Sequence, residues 1–321
     1  MTAESRFDVT TLGEMLVRLS VPAGQRLENA HQFDVHPAGA EANVVTLLAR
    51  LERKTSWTGA LPNNLLGRLA VNALRVAGVD TNGVTWNESG RMGIYYVEFG
   101  VPPRGIQVTY DRAHSCAAQL HSNDIDWDAL LNTRLLHLTG ITPALSSSCR
   151  EIMVEGRQRA KEHGIPISFD VNYRQKLWME SEAKEVLFPL IQDVELLFCS
   201  QADAKRLFDC KGSMQEIAQG MLELSQARYV IVTFGEKGAL LWDGNEWQHE
   251  PARSTQVVDR LGAGDALAAG VIHGWLDENL TSGLQYGVTL AALALSQFGD
   301  MVITSKSELI ALTQSSSSLT R

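Results

Sequence analysis

Residues 257–272 read Val-Val-Asp-Arg-Leu-Gly-Ala-Gly-Asp-Ala-Leu-Ala-Ala-Gly-Val-Ile, in which a short glycine-containing segment passes directly into an apolar run. The apolar run predicts a helix. Just ahead of it, Gly262, Ala263 and Gly264 are too small to screen their backbone N–H groups. Free amides at a helix start, together with the positive end of the helix dipole, suit a phosphate. The stretch therefore predicts an anion-binding segment at the entrance to a helix.

Asp265 stands in the first turn of that predicted helix. Aspartate is common at helix starts for reasons unrelated to function. A carboxylate beside a bound phosphate would nevertheless repel it. Asp265 is therefore either a helix-start residue that faces solvent or a base aimed at a nucleophile next to the phosphate, and the residues alone leave both interpretations open.

The chain has 321 residues, of which 45% are hydrophobic, enough to form one large core. Its formal net charge of −9 argues against a general binder of nucleic acid or anionic membranes. Any anionic ligand must therefore meet a local arginine or lysine. The four cysteines form no Cys-x-x-Cys pair, and the chain shows neither an apolar signal segment nor 18 consecutive apolar residues. We expect reduced thiols and a cytoplasmic protein.

The middle of the chain alternates β-rich runs with amphipathic helical runs, as expected for parallel strands joined by crossover helices. Two further segments, 15–36 and 92–112, are β-rich without helix signals and predict a separate small sheet. The sequence thus predicts an α/β fold with a mostly parallel sheet. Strands are expected over 135–141, 165–171, 195–199 and 229–234, and helices from Ala40 onward and over 65–77, 146–163 and 182–192.

Residues 259–265 resemble the signature Asp-Thr-x-Gly-Ala-Gly-Asp of the ribokinase-like (PfkB) carbohydrate kinases, with Arg260 and Leu261 in the middle positions. The resemblance extends over nearly the whole chain. It implies one three-layer α/β/α kinase domain over residues 1–321. It also implies a β lid within 15–36 and 92–112, which in many members pairs two subunits into a homo-oligomer. The implied anion hole and catalytic base are Gly262, Ala263, Gly264 and Asp265.

A second motif, Ala-Gly-Ala-Glu-Ala-Asn over residues 38–43, is similar to the Gly-Gly-x-x-x-Asn stretch with which family members bind sugar hydroxyls. Its first glycine is alanine here. Gly39 allows a ligand to approach the backbone closely, and Asn43 offers both a donor and an acceptor to a diol. The alternative is that both are ordinary residues at a helix entrance.

The motif Asp-x-Asn-x-Arg over residues 170–174 ends a predicted strand, where open α/β sheets place ligands. With Tyr110 and Arg112, which strand alternation puts on one side, it resembles the 2-keto-3-deoxygluconate kinase branch. This implies that Arg112, Arg174 and a lid tyrosine hold a sugar-acid carboxylate, a role suited to the planar guanidinium. Both arginines could instead form intrachain ion pairs. Only one of Tyr95 and Tyr96 can face the site, and we favour Tyr95.

Residues 233–238 resemble the family's Thr-x-Gly-x-x-Gly turn beside the ATP phosphates, which implies that Thr233, Gly235 and Gly238 contact the nucleotide. Residues 200–203 occupy the place of the Asn-x-x-Glu motif that organises Mg²⁺ and phosphate. Both marked residues differ here. The resemblance leaves Ser200 beside the phosphates and Asp203 as a Mg²⁺ ligand that acts through water.

The resemblance implies ATP- and Mg²⁺-dependent phosphorylation of the primary hydroxyl of a sugar acid, with 2-keto-3-deoxygluconate as the first candidate. A neutral ketose such as fructose or tagatose, or 5-keto-2-deoxygluconate, is an alternative substrate. A sugar-sensing relative without turnover is an alternative of another class, against which the intact Asp265 argues. The motifs do not separate gluconate-type from galactonate-type acids.

Overall fold

Strands and helices alternate along residues 5–314, the part of the chain that the computed structural model describes. The strands are β1 (Phe7–Leu12), β2 (Leu16–Val21), β3 (Asp34–Ala38), β4 (Thr55–Pro62), β5 (Val84–Asn87), β6 (Gly93–Glu98), β7 (Gln107–Asp111), β8 (Thr133–Thr139), β9 (Ile167–Asp170), β10 (Leu196–Ser200), β11 (Tyr229–Thr233), β12 (Ala239–Trp242) and β13 (Trp247–Glu250). The helices are α1 (Ala40–Arg50), α2 (Leu65–Ala77), α3 (Trp127–Leu131), α4 (Ser147–Glu162), α5 (Glu180–Leu190), α6 (Gln201–Phe208), α7 (Met214–Ser225), α8 (Ala263–Leu276), α9 (Leu280–Leu295) and α10 (Lys306–Gln314).

Nine strands form one sheet in the order β13-β12-β11-β10-β9-β8-β1-β4-β5. The strands from β11 to β5 run parallel, and β12 and β13 are antiparallel at one edge. The predicted α/β fold class with a mostly parallel sheet is confirmed. Each strand or helix whose two ends the sequence predicted begins and ends within two residues of its expected position.

Helices cover both faces of this sheet, which makes three layers. In β10, Leu196 and Phe198 belong to a core cluster shared with α1, α2, α8, α9 and α10. The alternate residues Leu197 and Cys199 belong to a second cluster shared with α3 to α7. A strand that is apolar on both faces is typical of a parallel sheet buried on both sides.

Helices α8 and α9 meet along a glycine seam formed by Gly270 and Gly274 on one helix and Gly283 and Gly287 on the other. A Cβ atom on Gly270 would lie 2.3 Å from the backbone nitrogen of Gly287, and one on Gly274 would lie 2.3 Å from the Cα of Gly283. No side chain fits in this space, so the two backbones are in direct contact. The seam fixes the position of α8, whose first turn carries the predicted anion hole.

The two β-rich segments form a separate four-stranded small sheet in the order β3-β2-β6-β7. The chain enters the small sheet after β1 and leaves it before α1. The small sheet therefore lies at the carboxyl end of the parallel strands. One of its faces has a core of its own, which includes Leu16, Tyr95, Val97 and Phe99. This face overlooks the strand ends from which the predicted sugar-binding residues project.

All four cysteines are buried and unpaired. Among the helices of residues 5–314, none is long and apolar enough to cross a membrane.

Candidate active site

Asp265 lies in the first turn of α8 at the wall of a cavity of about 420 Å³. Its carboxylate Oδ2 accepts a hydrogen bond of 2.7 Å from Asn43 Nδ2. Burial raises the pKa of Asp265 to about 7, although the bond from Asn43 and the charge of Arg174 favour the ionised form. A carboxylate with a pKa near neutrality can accept a proton from a bound hydroxyl and release it afterwards.

The predicted anion hole forms the N-terminus of α8, where no side chain caps the first amides. Gly262 has a φ of 82°, and a Cβ atom there would lie 2.4 Å from the carbonyl oxygen of Asp300, so only glycine fits. Gly262 and Gly264 border the first cavity, while Ala263 and Gly264 border a second cavity of about 600 Å³. The start of α8 therefore separates two cavities and exposes its free amides between them.

Three parallel strands end in polar residues at the first cavity: Asp170 follows from β9, Ser200 from β10 and Thr233 from β11. Burial and the charge of Asp265 raise the pKa of Asp170 to about 8. Ser200 lines this first cavity and caps α6, because its Oγ accepts the amide of Asp203 at 3.0 Å. The second cavity lacks Ser200 among its walls. Ser200 thus borders the same cavity as Thr233 and caps α6, and its predicted role beside the phosphates stays a prediction.

Arg174 has an exposed side chain that lines the first cavity. Its only hydrogen bond within residues 5–314 is a long one of 3.4 Å to the carbonyl of Tyr173, and it forms no ion pair there. Its charge lowers the pKa values of Asp170, Asp203 and Asp265 against the effect of burial. Arg174 is thus a cation close enough to Asp265 to favour its ionised form, with its hydrogen-bonding capacity available to an anion.

Arg112 also lines the first cavity, but it is buried and already paired. Its Nε donates to Glu14 Oε2 at 2.8 Å, a second bond runs from Nη2 to the same oxygen, and Ser115 donates to the other oxygen of Glu14. The arrangement matches the ion-pair alternative for this residue, and a role in carboxylate binding stays a prediction. Arg112 Cζ lies 5.3 Å from the ring centre of Tyr110. Tyr110 and Arg112 therefore both border the first cavity, on the same side of the chain, as strand alternation predicts.

Tyr95 lines the first cavity, whereas the ring of Tyr96 packs on the other face of β6 against Phe33 at 6.1 Å. The Tyr95 hydroxyl donates a 2.6 Å hydrogen bond to Asp300 Oδ2. Burial and the neighbouring carboxylate hold the pKa of Tyr95 well above its usual range, so the phenol keeps its proton. The strand register therefore favours Tyr95 over Tyr96 at the site. Gly39 and Asn43, at the entrance and in the first turn of α1, border the same cavity.

Sequence reasoning missed a buried network behind Tyr95. Arg18 of β2 has no exposed surface and bridges Asp300 Oδ1 at 2.7 Å and Asp259 Oδ2 at 2.6 Å. Asp259 in turn accepts the amides of Leu261 at 3.0 Å and Gly299 at 3.2 Å. The network ties the small sheet to the segment before α8. One signal was present in the sequence, since Arg18 interrupts an apolar strand, but its partners lie more than 200 residues away.

The second cavity has walls of a different composition. Thr233, Gly235 and Gly238 border it on one side, as the motif predicted. Its other walls include apolar residues of α9 and of the segment before α8, namely Val257, Val288, Ala291, Ala292 and Leu295. Its size and apolar wall suit a flat heterocycle whose phosphates reach the start of α8.

Asp203 borders the first cavity and is not part of any group of three metal-ligating side chains in the described part of the chain. Burial raises its pKa, and Asp203 also contributes to the raised pKa of Asp170. Two neighbouring carboxylates that are costly to ionise in a cavity suit a divalent cation which takes its remaining ligands from phosphate and water.

Residues 6–306 match a family model described as pfkB family carbohydrate kinase. The chain is 34% identical to the 2-dehydro-3-deoxygalactonokinase of Haloferax volcanii over 96% of each chain. It is 30% identical to the 2-dehydro-3-deoxygluconokinase of Bacillus subtilis over 92% of each chain. The crystal structure of the 2-dehydro-3-deoxygluconokinase of Thermotoga maritima superposes with a TM-score of 0.91 at 30% identity, covering 97% of this chain and 99% of the other.

Proposed function

The chain belongs to the pfkB family of carbohydrate kinases, enzymes that phosphorylate sugars, and from that premise we propose its reaction. It transfers the γ-phosphoryl group of ATP to the primary hydroxyl of a 2-keto-3-deoxy sugar acid, with 2-keto-3-deoxygluconate as the first candidate. One observation carries this proposal: the guanidinium of Arg174, which forms no ion pair within residues 5–314, lines the same cavity as the buried carboxylate of Asp265. A neutral sugar has no group that requires this cation.

In the proposed step, Asp265 removes the proton of the sugar hydroxyl while the hydroxyl oxygen bonds to the γ-phosphorus. The bond between that phosphorus and the β,γ-bridging oxygen breaks, and ADP leaves with the bridging electron pair. The amides of Gly262, Ala263 and Gly264 stabilise negative charge on the phosphoryl oxygens. Asn43 orients the Asp265 carboxylate through its 2.7 Å hydrogen bond.

The bound sugar acid is held from two sides. Arg174 binds the carboxylate with two parallel hydrogen bonds, a geometry that carboxylates and guanidinium groups share. Gly39 and Asn43 meet the hydroxyls from α1, and Tyr95, Tyr110 and Arg112 bound the cavity from the small sheet. Thr233, Gly235 and Gly238 contact the nucleotide in the second cavity.

A magnesium ion that accompanies ATP fits the two carboxylates at the strand ends. Mg²⁺ usually takes one or two protein carboxylates and completes its shell with phosphate oxygens and water. We assign Asp203, acting through water, with Asp170 as its neighbour. When bound, the ion supplies positive charge that offsets the phosphates.

The relatives favour a 2-keto-3-deoxy acid but differ in the stereochemistry of the acid named. The galactonate-type kinase of Haloferax volcanii is 34% identical to this chain and the gluconate-type kinase of Bacillus subtilis is 30% identical. Two of the three relatives compared above carry the gluconate-type name, so the galactonate epimer is the second candidate. A 5-dehydro-2-deoxygluconokinase from Listeria monocytogenes is 25% identical, which ranks that substrate lower.

The test is ATP-dependent phosphorylation of a panel with Mg²⁺ present: 2-keto-3-deoxygluconate, its galactonate epimer, 5-keto-2-deoxygluconate, fructose and ribose. We expect kcat/KM to be highest for one of the two 2-keto-3-deoxy acids. A preference for fructose or ribose would contradict the proposed carboxylate-binding site but would still agree with a sugar kinase. Binding of a sugar acid without turnover would identify a sensor and contradict the proposed reaction.

We also propose that the small sheet is the lid of a kinase domain spanning the chain, and that it joins two copies. Its outer face exposes Phe33 and Val35, with 38% and 48% of their surface accessible. Apolar residues exposed on a sheet favour burial against a partner. Sedimentation analysis of the wild type and of Val35→Lys tests the idea: the wild type should be a dimer that this variant weakens, whereas a monomeric wild type would contradict it.

A cytoplasmic location accords with the free thiols and with the proposed donor. Disulfides are favoured in oxidising compartments, and all four cysteines here are unpaired. ATP is also a cytoplasmic metabolite. Fractionation of the source cells should recover the protein with cytoplasmic markers, and recovery with the periplasmic or extracellular fraction would contradict this location.

A further inference from the structure

Arg260 lies at the junction of the two cavities. It precedes α8 by three residues, and its side chain borders both the cavity that contains Asp265 and the cavity with the apolar wall. The side chain is exposed, and the structure of residues 5–314 gives it neither a hydrogen bond nor an ion pair. It is a cation without a side-chain partner among the described residues, at the boundary that the two cavities share.

The other arginines at these cavities are already paired or border only one of the two cavities. Arg112 is paired with Glu14, and Arg253 donates to the carbonyls of Leu312 and Thr313. Arg174 borders the first cavity only. Of the described residues, no lysine lines either cavity, so Arg260 is the one cation that both cavities share.

The backbone that carries Arg260 is held in place. The preceding residue, Asp259, is buried in the network with Arg18, and its Oδ1 accepts the amide of Leu261 at 3.0 Å. Arg260 therefore has a fixed backbone and a free guanidinium. Such a side chain can form hydrogen bonds to a ligand without first breaking bonds within the protein.

A phosphate chain at this junction needs positive charge from the protein. Asp170, Asp203, Asp265 and Asp300 all border the first cavity, and the chain as a whole carries a net charge of −9. The free amides of α8 supply only partial charge. A guanidinium donates two parallel hydrogen bonds to a phosphate and keeps its charge at any physiological pH.

We propose that Arg260 is a catalytic residue that contacts the transferred γ-phosphoryl group and stabilises its charge between ATP and the sugar. The inference rests on the proposed function and adds a residue to it. Negative charge in phosphoryl transfer is spread over the equatorial oxygens of the moving group, and an arginine directed at them acts mainly on kcat. The related signature has threonine at this position, so the activity of Arg260→Thr measures what the arginine contributes.

The experiment compares the wild type with Arg260→Thr, Arg260→Lys and Arg68→Thr. Arg68 is an exposed arginine of α2 that borders neither cavity and has no side-chain partner within residues 5–314. Steady-state kinetics with 2-keto-3-deoxygluconate and its galactonate epimer give kcat and each KM. Calorimetry without sugar gives the affinities for ATP and AMP.

Arg260→Thr should lower kcat/KM for ATP about a hundredfold, mostly through kcat, and weaken ATP binding while AMP binding stays within twofold. Arg260→Lys should recover part of the loss, because lysine keeps the positive charge but lacks the two parallel N–H donors of a guanidinium. Arg68→Thr should match the wild type. The thermal unfolding curves of the wild type and the Arg260 variants should coincide, because Arg260 is exposed and forms no side-chain bond within residues 5–314.

Two results would overturn the inference. One is Arg260→Thr kinetics and ATP affinity within about threefold of the wild type, the other a rise in sugar KM alone with unchanged ATP affinity, which would assign Arg260 to the sugar acid. Failure of the proposed function has a separate signature, namely a wild type that binds ATP and phosphorylates no sugar acid. In that case the selective loss of ATP over AMP affinity in Arg260→Thr still decides whether Arg260 meets the γ-phosphate.

Discussion

The two cavities that meet at α8 use different means to hold a ligand. In the cavity of Asp265, one charged or polar side chain fixes another: Asn43 holds the base, and Asp300 accepts the Tyr95 hydroxyl. The other cavity is bounded largely by glycine, alanine, valine and leucine. The first therefore recognises its ligand through preset side chains and the second through shape and backbone. Single substitutions of the preset polar side chains should therefore have large effects, and substitutions in the apolar wall of the second cavity should have small ones.

The largest effect should come from Asp265→Asn, which keeps the shape of the side chain and removes the base. We expect kcat to fall by about a hundredfold or more, with sugar binding largely retained. Steady-state kinetics and calorimetry with the preferred sugar acid measure both. Asp277→Asn, at the other end of α8, is the control and should keep its turnover. Near wild-type turnover in Asp265→Asn would remove Asp265 as the base.

A smaller but selective effect is expected for Arg174→Ala. A charge-assisted hydrogen bond contributes about 1.5 to 3 kcal/mol, so the KM for a sugar acid should rise by roughly 10- to 150-fold. The KM for any neutral sugar that is turned over should change little. Arg206→Ala removes a nearby arginine that pairs with Glu180 outside both cavities and serves as the control. If Arg174→Ala raised the KM for acid and neutral sugars equally, Arg174 would not bind the carboxylate.

The pH profile of kcat/KM tests whether burial tunes the base. Since burial raises the pKa of Asp265 to about 7, activity should be level above that pH and fall about tenfold per unit below it. Asn43→Ala should move the inflection to higher pH, because the hydrogen bond from Asn43 favours the ionised carboxylate. An inflection below pH 5, in the ordinary aspartate range, would mean that Asp265 is not desolvated in the free enzyme.

The smallest effect should come from the apolar wall. Leu295→Ala removes one side chain from the nucleotide cavity, and we expect the KM for ATP to rise about threefold with no change in the KM for the sugar. Ile303→Ala, which trims an exposed leucine-sized side chain outside both cavities, should behave as the wild type. A hundredfold rise in the KM for ATP in Leu295→Ala would contradict the proposed difference between the two cavities.

Local sequence signals predicted most of the large sheet and its helices. The helix over 65–77 was predicted at its observed bounds, because Gly78 adopts the left-handed conformation that ends it. The antiparallel strand β13 gave no signal. Its residues Trp247–Glu250 are half-exposed at the sheet edge and lack an apolar alternation.

The candidate site was predictable only where its residues lie together in the sequence. Asp265 and the predicted anion hole form one uninterrupted segment. Alternation along β6 limits the site to one of Tyr95 and Tyr96 but does not choose between them. Asp300, Arg18 and Glu14 were missed, because their pairing joins elements such as β2 and the segment after α9, which are 282 residues apart. The role of Ser200 beside the phosphates rests on its place in a motif and stays a prediction, while its hydroxyl caps α6 at the first cavity.

The glycine seam between α8 and α9 limits how this enzyme can diversify. One of these helices carries Asp265 and the other carries the apolar wall of the nucleotide cavity. Because their backbones touch at Gly270 and Gly287, a mutation that adds a side chain there must displace Asp265 and the apolar wall of the second cavity together. A change of sugar specificity that keeps this seam must therefore arise elsewhere, in the small sheet or at the strand ends.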